Sequence, residues 1–205
     1  MDKKALLDSL YFRHACKLFD KSKKIAQKDV DFILEAGRLS PSSFGMEHWR
    51  FLVIENDELK QTLKPVCWDQ AQITTCSHLI ILIAKYHDVQ NPAYYKKMFQ
   101  RRGLDAEMLA AYLQKYTNFL SSLASPKAWC EKQCYLAAAN MMSYAALIGI
   151  DSCPMEGFEH DSVEKILEID TTKESIALML PFGYRAKEQS QKFRLETEEL
   201  VTYVR

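Results

Sequence analysis

Three groups of residues in this 205-residue chain have types and spacings that could do chemistry. The first is cationic. Arg13 and Lys17 stand four apart in "RHACKLF", on one face if that run is helical, and Lys192 and Arg194 alternate in "QKFRL", on one side if that run is extended. Taken alone, each pair reads as a solvated basic surface. The second is "DSCPMEGF", where Pro154 removes a backbone donor and Gly157 lets the main chain approach another group closely. Glu156 sits between them with no cation nearby in sequence. The third is "SPSSFGMEHWRF", in which Pro41, Ser42, Ser43 and Gly45 make a small-residue loop offering hydroxyls and open backbone. Alone it is an ordinary helix-stop turn. Cys130 and Cys134 stand four apart, but no CxxC or HxxxH supplies two further ligands, so packed thiols are the better reading. No GxGxxG, Walker sequence, GxSxG or HExxH is present, and the five histidines are scattered.

The elements that must position these residues are legible from periodicity. "DKKALLDSLYF" is an amphipathic helical start with Leu6, Leu7 and Leu10 on one side. "QKDVDFILEAGRLS" repeats the pattern through Val30, Ile33, Leu34 and Gly37 until Pro41 stops it. "WRFLVIE" reads as a strand, while "SHLIILIAKY" and "SIALMLPFGY" are apolar on both faces and read as buried strands. Residues 89–127 form a polar-aromatic, mostly helical excursion between two core-like regions. A helix from about Lys127 to Ile150 follows, apolar nearly all round, with Ala138, Ala139, Ala145 and Ala146 permitting close approach. So small a core can hardly cover it alone, which points to a subunit interface. "HDSVEKILEI" is a short amphipathic helix, and a polar tail closes the chain. Interleaved helices and strands give an α/β or α+β layered sheet, with 1–205 read as a single domain.

Bulk properties exclude whole classes. Basic and acidic residues balance at 27 each, so nothing favours nucleic acid or an anionic membrane surface. "CYLAAANMMSYAALIGI" is about a turn short of a membrane span and carries Asn140 and Ser143. The N-terminus lacks the continuous apolar region of an export signal, and the six cysteines then read as thiols of a cytoplasmic protein.

Taken in order, R-H-A-C-K-L-F, S-P-S-S with a W-x-F strand, A-W-C-E-K-Q-C-Y-L-A-A-A-N, G-I-D-S-C-P-M-E-G-F and K-F-R-L resemble the oxygen-insensitive NAD(P)H nitroreductases, FMN enzymes. The resemblance covers nearly the whole chain and is weakest over 89–127. It implies an α+β fold, a mixed or antiparallel sheet of about five strands wrapped by helices, in an intertwined homodimer with FMN sites at the subunit interface. By the same resemblance, Arg13, Lys192 and Arg194 meet the FMN phosphate, with His14 and Ala15 in the same binding run. Lys17 lies near flavin N1 and O2, and the amides of Glu156 and Gly157 donate to N5 and O4, with Pro154 and Met155 packing at the ring. Lys17, Glu156 and Gly157 are thus the catalytic candidates. Pro41, Ser42 and Ser43 reach the flavin across the dimer interface.

Several positions depart from the pattern. Ala15 stands where a serine is usual, Gly45, Glu47 and His48 replace Asn, Gln and Pro, and Asp69 and Gln72 fall where an Asn and a second lysine are usual. The implied activity is ping-pong hydride transfer from NAD(P)H to nitroaromatic or quinone acceptors. The alternatives are a flavin or enone reductase of the same superfamily and a flavin-binding protein without turnover. Tyr112, Tyr116 or Phe119 of the excursion either cover the flavin or pack a helix hairpin.

Overall fold

The computed structural model describes residues 2–205. Four strands form one antiparallel sheet in the order β1 (Trp49–Ile54), β2 (His78–Ala84), β4 (Ser175–Gly183) and β3 (Asp151–Ser152). The described residues thus provide four strands where about five are expected, and one of them, β3, is only two residues long. Every residue of β2 and of β4 is buried, as their two-sided apolar character requires. Strand alternation splits the core into two layers. Ile80, Leu82 and Ala84 of β2 join Leu178, Leu180 and Phe182 of β4 on one face, with Ile33 and Met141. Leu79, Ile81 and Ile83 join Ile176 and Met179 on the other, with Leu63, Ile73 and Val163.

The first layer is built by α2 (Gln27–Arg38) and α7 (Pro126–Leu147), the second by α3 (Asp57–Val66), α4 (Ala71–Thr75) and α8 (His160–Ile166). Helix starts are chemically marked. Asp2 caps α1 (Lys3–Phe12), Asn56 caps α3, and Ser125 caps α7 with Pro126 in the first turn. The excursion holds α5 (Pro92–Gln100) and α6 (Ala106–Ser122), and α9 (Thr197–Leu200) lies in the tail. Tyr116 of α6 is fully buried, its hydroxyl donating to the Val89 carbonyl, and Phe119 packs on Phe44 and Trp129. Core packing therefore wins for these two aromatics.

Two apolar faces are left open. Leu6, Leu7 and Leu10 of α1 are exposed rather than folded onto the sheet. Helix α7 buries Cys134, Ala138, Met141 and Ala145, yet leaves Tyr135, Leu136, Ala139 and Tyr144 exposed. Cys130 and Cys134 are packed in the core, and burial pushes the Cys130 thiol up to about 12. Among the described residues, no helix is long and apolar enough to cross a membrane.

Candidate active site

Helix α1 stops at Phe12, and "RHACKLF" runs extended beside β3. Ala15 bridges Ser152 in parallel, and the Cys16 N–H donates to the Ser152 carbonyl at 3.0 Å. Arg13, Ala15 and Lys17 therefore share a side through the two-residue period of extended chain, not through a helix. Asp151 fastens this arrangement. Its buried carboxylate accepts from the Arg185 backbone N–H at 2.9 Å, Nε at 3.0 Å and Nη2 at 2.6 Å. Arg185 also donates to the Phe12 carbonyl and lies 4.0 Å over the Phe12 ring. His14 Nδ1 is 3.5 Å from Asp151, but burial and then Arg185 keep the imidazole below its ordinary pKa.

The tail brings the other cations. Lys192 Nζ donates to the Leu10 carbonyl at 2.6 Å and to the Arg13 carbonyl, pinning residues 192–194 to the end of α1. Leu7, Leu10, Tyr11, Arg13, Lys192 and Arg194 line a cleft of about 340 Å³. No carboxylate forms an ion pair with any of its three cations among the described residues. Burial, followed by Arg194, lowers the Arg13 pKa, and burial, followed by Arg13 and Arg194, lowers that of Lys192. Three mutually repelling cations in a cleft form a site that a multiply charged anion stabilises.

The Pro154–Gly157 turn is stitched to β4 by the reciprocal Met155–Met179 hydrogen bonds of 2.9 and 3.1 Å. The N–H groups of Glu156 and Gly157 meet no acceptor among the described residues. The Glu156 carboxylate accepts from Tyr135 of α7 at 2.5 Å; burial, and then this bond, raise the phenol's pKa. Gly157 lies against a flat ring: a Cβ there would meet Trp68 Cζ3 at 2.5 Å. Trp68 and Asp69 both adopt left-handed backbone, with φ of 55° and 52°, and Asp69 is exposed beside them. Gln70 ties this turn to the Gly157 carbonyl at 2.7 Å. Lys17 Nζ lies 3.5 Å from Cys153 Sγ, and Gln72 Nε2 approaches the same sulfur at 3.9 Å. Burial raises the Cys153 pKa while Lys17 and Arg13 oppose it.

Thus Arg13, His14, Ala15, Lys17, Lys192 and Arg194 gather with Pro154–Gly157 around β3. Asp69 joins from the neighbouring turn. Cys153, Trp68, Gln70 and Tyr135 were not singled out by spacing; only the position of Cys153 next to Pro154 offered a signal. Pro41, Ser42 and Ser43 lie elsewhere. Gln133 of α7 accepts from the Ser43 N–H at 2.9 Å, Ser42 Oγ accepts from the Glu47 N–H at 3.0 Å, and the loop shares no lining residue with the cation cleft.

The sequence model of the nitroreductase family matches residues 10–184. A Staphylococcus haemolyticus protein provisionally named an NAD(P)H nitroreductase is 40% identical over 97% of each chain. Among solved structures, Bacillus subtilis ydfN, provisionally described as a nitroreductase, superposes with a TM-score of 0.89 at 21% identity, covering 99% of this chain and 100% of its own. A similarly described Exiguobacterium sibiricum protein, solved in complex with FMN, gives 0.83 at 22% identity over 100% and 98%.

Proposed function

Because the chain belongs to the nitroreductase family, we propose that it is an FMN-dependent NAD(P)H oxidoreductase that reduces nitroaromatic or quinone acceptors, working as a cytoplasmic homodimer. The observation that carries this reading is the three-cation cleft, whose Arg13 acts on Cys153 next to the turn, together with the free N–H groups of Glu156 and Gly157. In the proposal, residues 1–205 act as one nitroreductase domain, with 89–127 as its helical excursion.

The residues fit the cofactor. Arg13, Lys192 and Arg194 hold its phosphate, replacing mutual repulsion with charge-assisted hydrogen bonds. Glu156 and Gly157 present unpaired N–H groups to the ring edge, which set its electronics without adding a titrating group. Trp68 resting on Gly157 supports a surface that receives flat aromatic rings. Pro154 packs there, Met155 supports the turn from the core layer in which it is buried, and Asp69 takes the pyrimidine edge. When bound, FMN supplies the chemistry of accepting a hydride from NAD(P)H and giving it up to the acceptor. Lys17 places positive charge where negative charge gathers on reduction. Tyr135 holds the Glu156 carboxylate, so that side chain is engaged as an acceptor rather than poised to donate a proton.

A second copy of the chain completes the site. The exposed leucines of α1, the open face of α7 and the apolar tail residues Phe193, Leu195 and Tyr203 support an extensive interface. Across it the partner's Pro41–Ser43 loop reaches the flavin. Steady-state turnover with both nicotinamides and a panel of nitroaromatics, quinones, enones and free flavin tests the reading. Fastest reduction of nitroaromatics or quinones is expected; exclusive turnover of enones or free flavin, or none at all, contradicts it.

A further inference from the structure

Gly45 and Glu47, two departures from the family pattern, are explained by the turn that ends α5. Arg101 Nη2 donates to Glu47 Oε1 at 2.5 Å, and Arg102 Nη2 donates to the Phe44 carbonyl. Gly45 has φ +62°, and a Cβ there would stand 3.0 Å from Arg102 Nη2. Glycine at 45 thus admits the arginine, and a carboxylate at 47 holds its neighbour. Arg38, from the end of α2, and Ser42 help to line a cleft of about 400 Å³ with Gly45, Glu47, Arg101 and Arg102.

The charges in this cleft do not cancel. Glu47 is engaged by Arg101, and Arg38 pairs with Glu35 at 2.6 Å. Arg102 pairs with no carboxylate among the described residues. Its guanidinium lies 4.9 Å over Phe99 and 5.5 Å over Tyr112, which holds the plane in place. Only Nη2 is committed to the Phe44 carbonyl, so a forked donor edge remains for a ligand. An oriented guanidinium, two flanking arginines and a serine hydroxyl in one concavity suit a phosphate.

We propose that this cleft binds a phosphate group of the reduced nicotinamide dinucleotide. The proposal rests on the function above, in which only the dinucleotide among the substrates carries phosphates. It places donor recognition on the same loop that is proposed to reach the partner's flavin.

The test uses FMN-loaded protein and the variants Arg102→Ala and Arg38→Ala. Arg38 hydrogen-bonds Glu35, and neither Phe44 nor Glu47, so its removal breaks none of the hydrogen bonds that fasten the loop. KM is measured for NADPH and NADH, and calorimetry measures the affinities of adenosine 2′,5′-bisphosphate and ADP. Arg102→Ala is expected to raise KM about tenfold or more, with a smaller rise for Arg38→Ala and both effects shrinking at high salt. A rise for NADPH alone, with bisphosphate affinity lost, assigns the cleft to the 2′-phosphate. A rise for both donors, with ADP affinity lost, assigns it to the pyrophosphate. If Arg38→Ala changes nothing, or neither variant alters KM or probe affinity, the proposal is overturned. Protein that binds both probes through these arginines yet oxidises neither donor would instead refute the proposed activity.

Discussion

Arg194 is exposed, and among the described residues its only hydrogen bond is to the neighbouring Phe193 carbonyl, so its charge does little for the folded chain alone. It does disfavour Arg13 and Lys192. Arg194→Ala should therefore leave the thermal midpoint of apoprotein unchanged or slightly raised, while FMN affinity falls about tenfold or more. Equal FMN affinity in a calorimetric titration would remove Arg194 from the site. His48 offers a pH test. It is fully buried with neither ring nitrogen bonded, and burial with the nearby Lys85 charge takes its pKa down to about 3 from an ordinary 6.5. The unfolded chain then binds the extra proton first, so stability is complete above pH 6.5 and declines toward pH 3, by up to about 1.4 kcal/mol per unit. His48→Phe, another flat ring against Trp129, should flatten the fall in thermal midpoint between neutral pH and about pH 4. Identical pH slopes would contradict the assignment. The cations were legible because charge and spacing are local properties of a chain. Lys17 on Cys153 and Tyr135 on Glu156 join residues 136 and 21 positions apart, and no local pattern announces them.

At the scale of elements, Asp151 matters most to the site, because its carboxylate joins β3, α1 and the chain after β4 through Arg185. Asp151→Asn leaves a part-buried guanidinium without its counter-charge, which costs about 3 kcal/mol. The urea midpoint should fall accordingly, and FMN binding should weaken as Arg13 and Lys17 lose their register. A change under about 1 kcal/mol would show that the extended segment is held by its backbone bridge instead. Strands β2 and β4 were readable because burial on both faces leaves unbroken apolar runs. Helix α7 was readable from its length and alanines, and its exposed Tyr135, Leu136 and Tyr144 agree with a helix one core cannot cover. Strand β3 was not, since two residues have no period, and no fifth strand forms among the described residues. The leucines of α1 had the right spacing, but periodicity identifies an apolar face without saying whether its own chain or another covers it.

For the whole molecule, those open faces predict a dimer by light scattering at micromolar concentration. Ala139 is exposed on α7, so glutamate there is tolerated in one chain but would bury a charge between two. Ala139→Glu should give monomer with reduced flavin content; a flavin-loaded dimer would place the interface elsewhere. The reading that unites the scales is that the cations, the β3-linked segment and the paired chains together hold an FMN that takes electrons from a reduced nicotinamide. It is tested most directly by reconstituting the purified protein with FMN, removing oxygen and adding NADPH or NADH. The yellow absorbance is expected to bleach within catalytic time and to return on adding a nitroaromatic or quinone. Protein that stays colourless with FMN, or a yellow colour that persists after both nicotinamides, would contradict it.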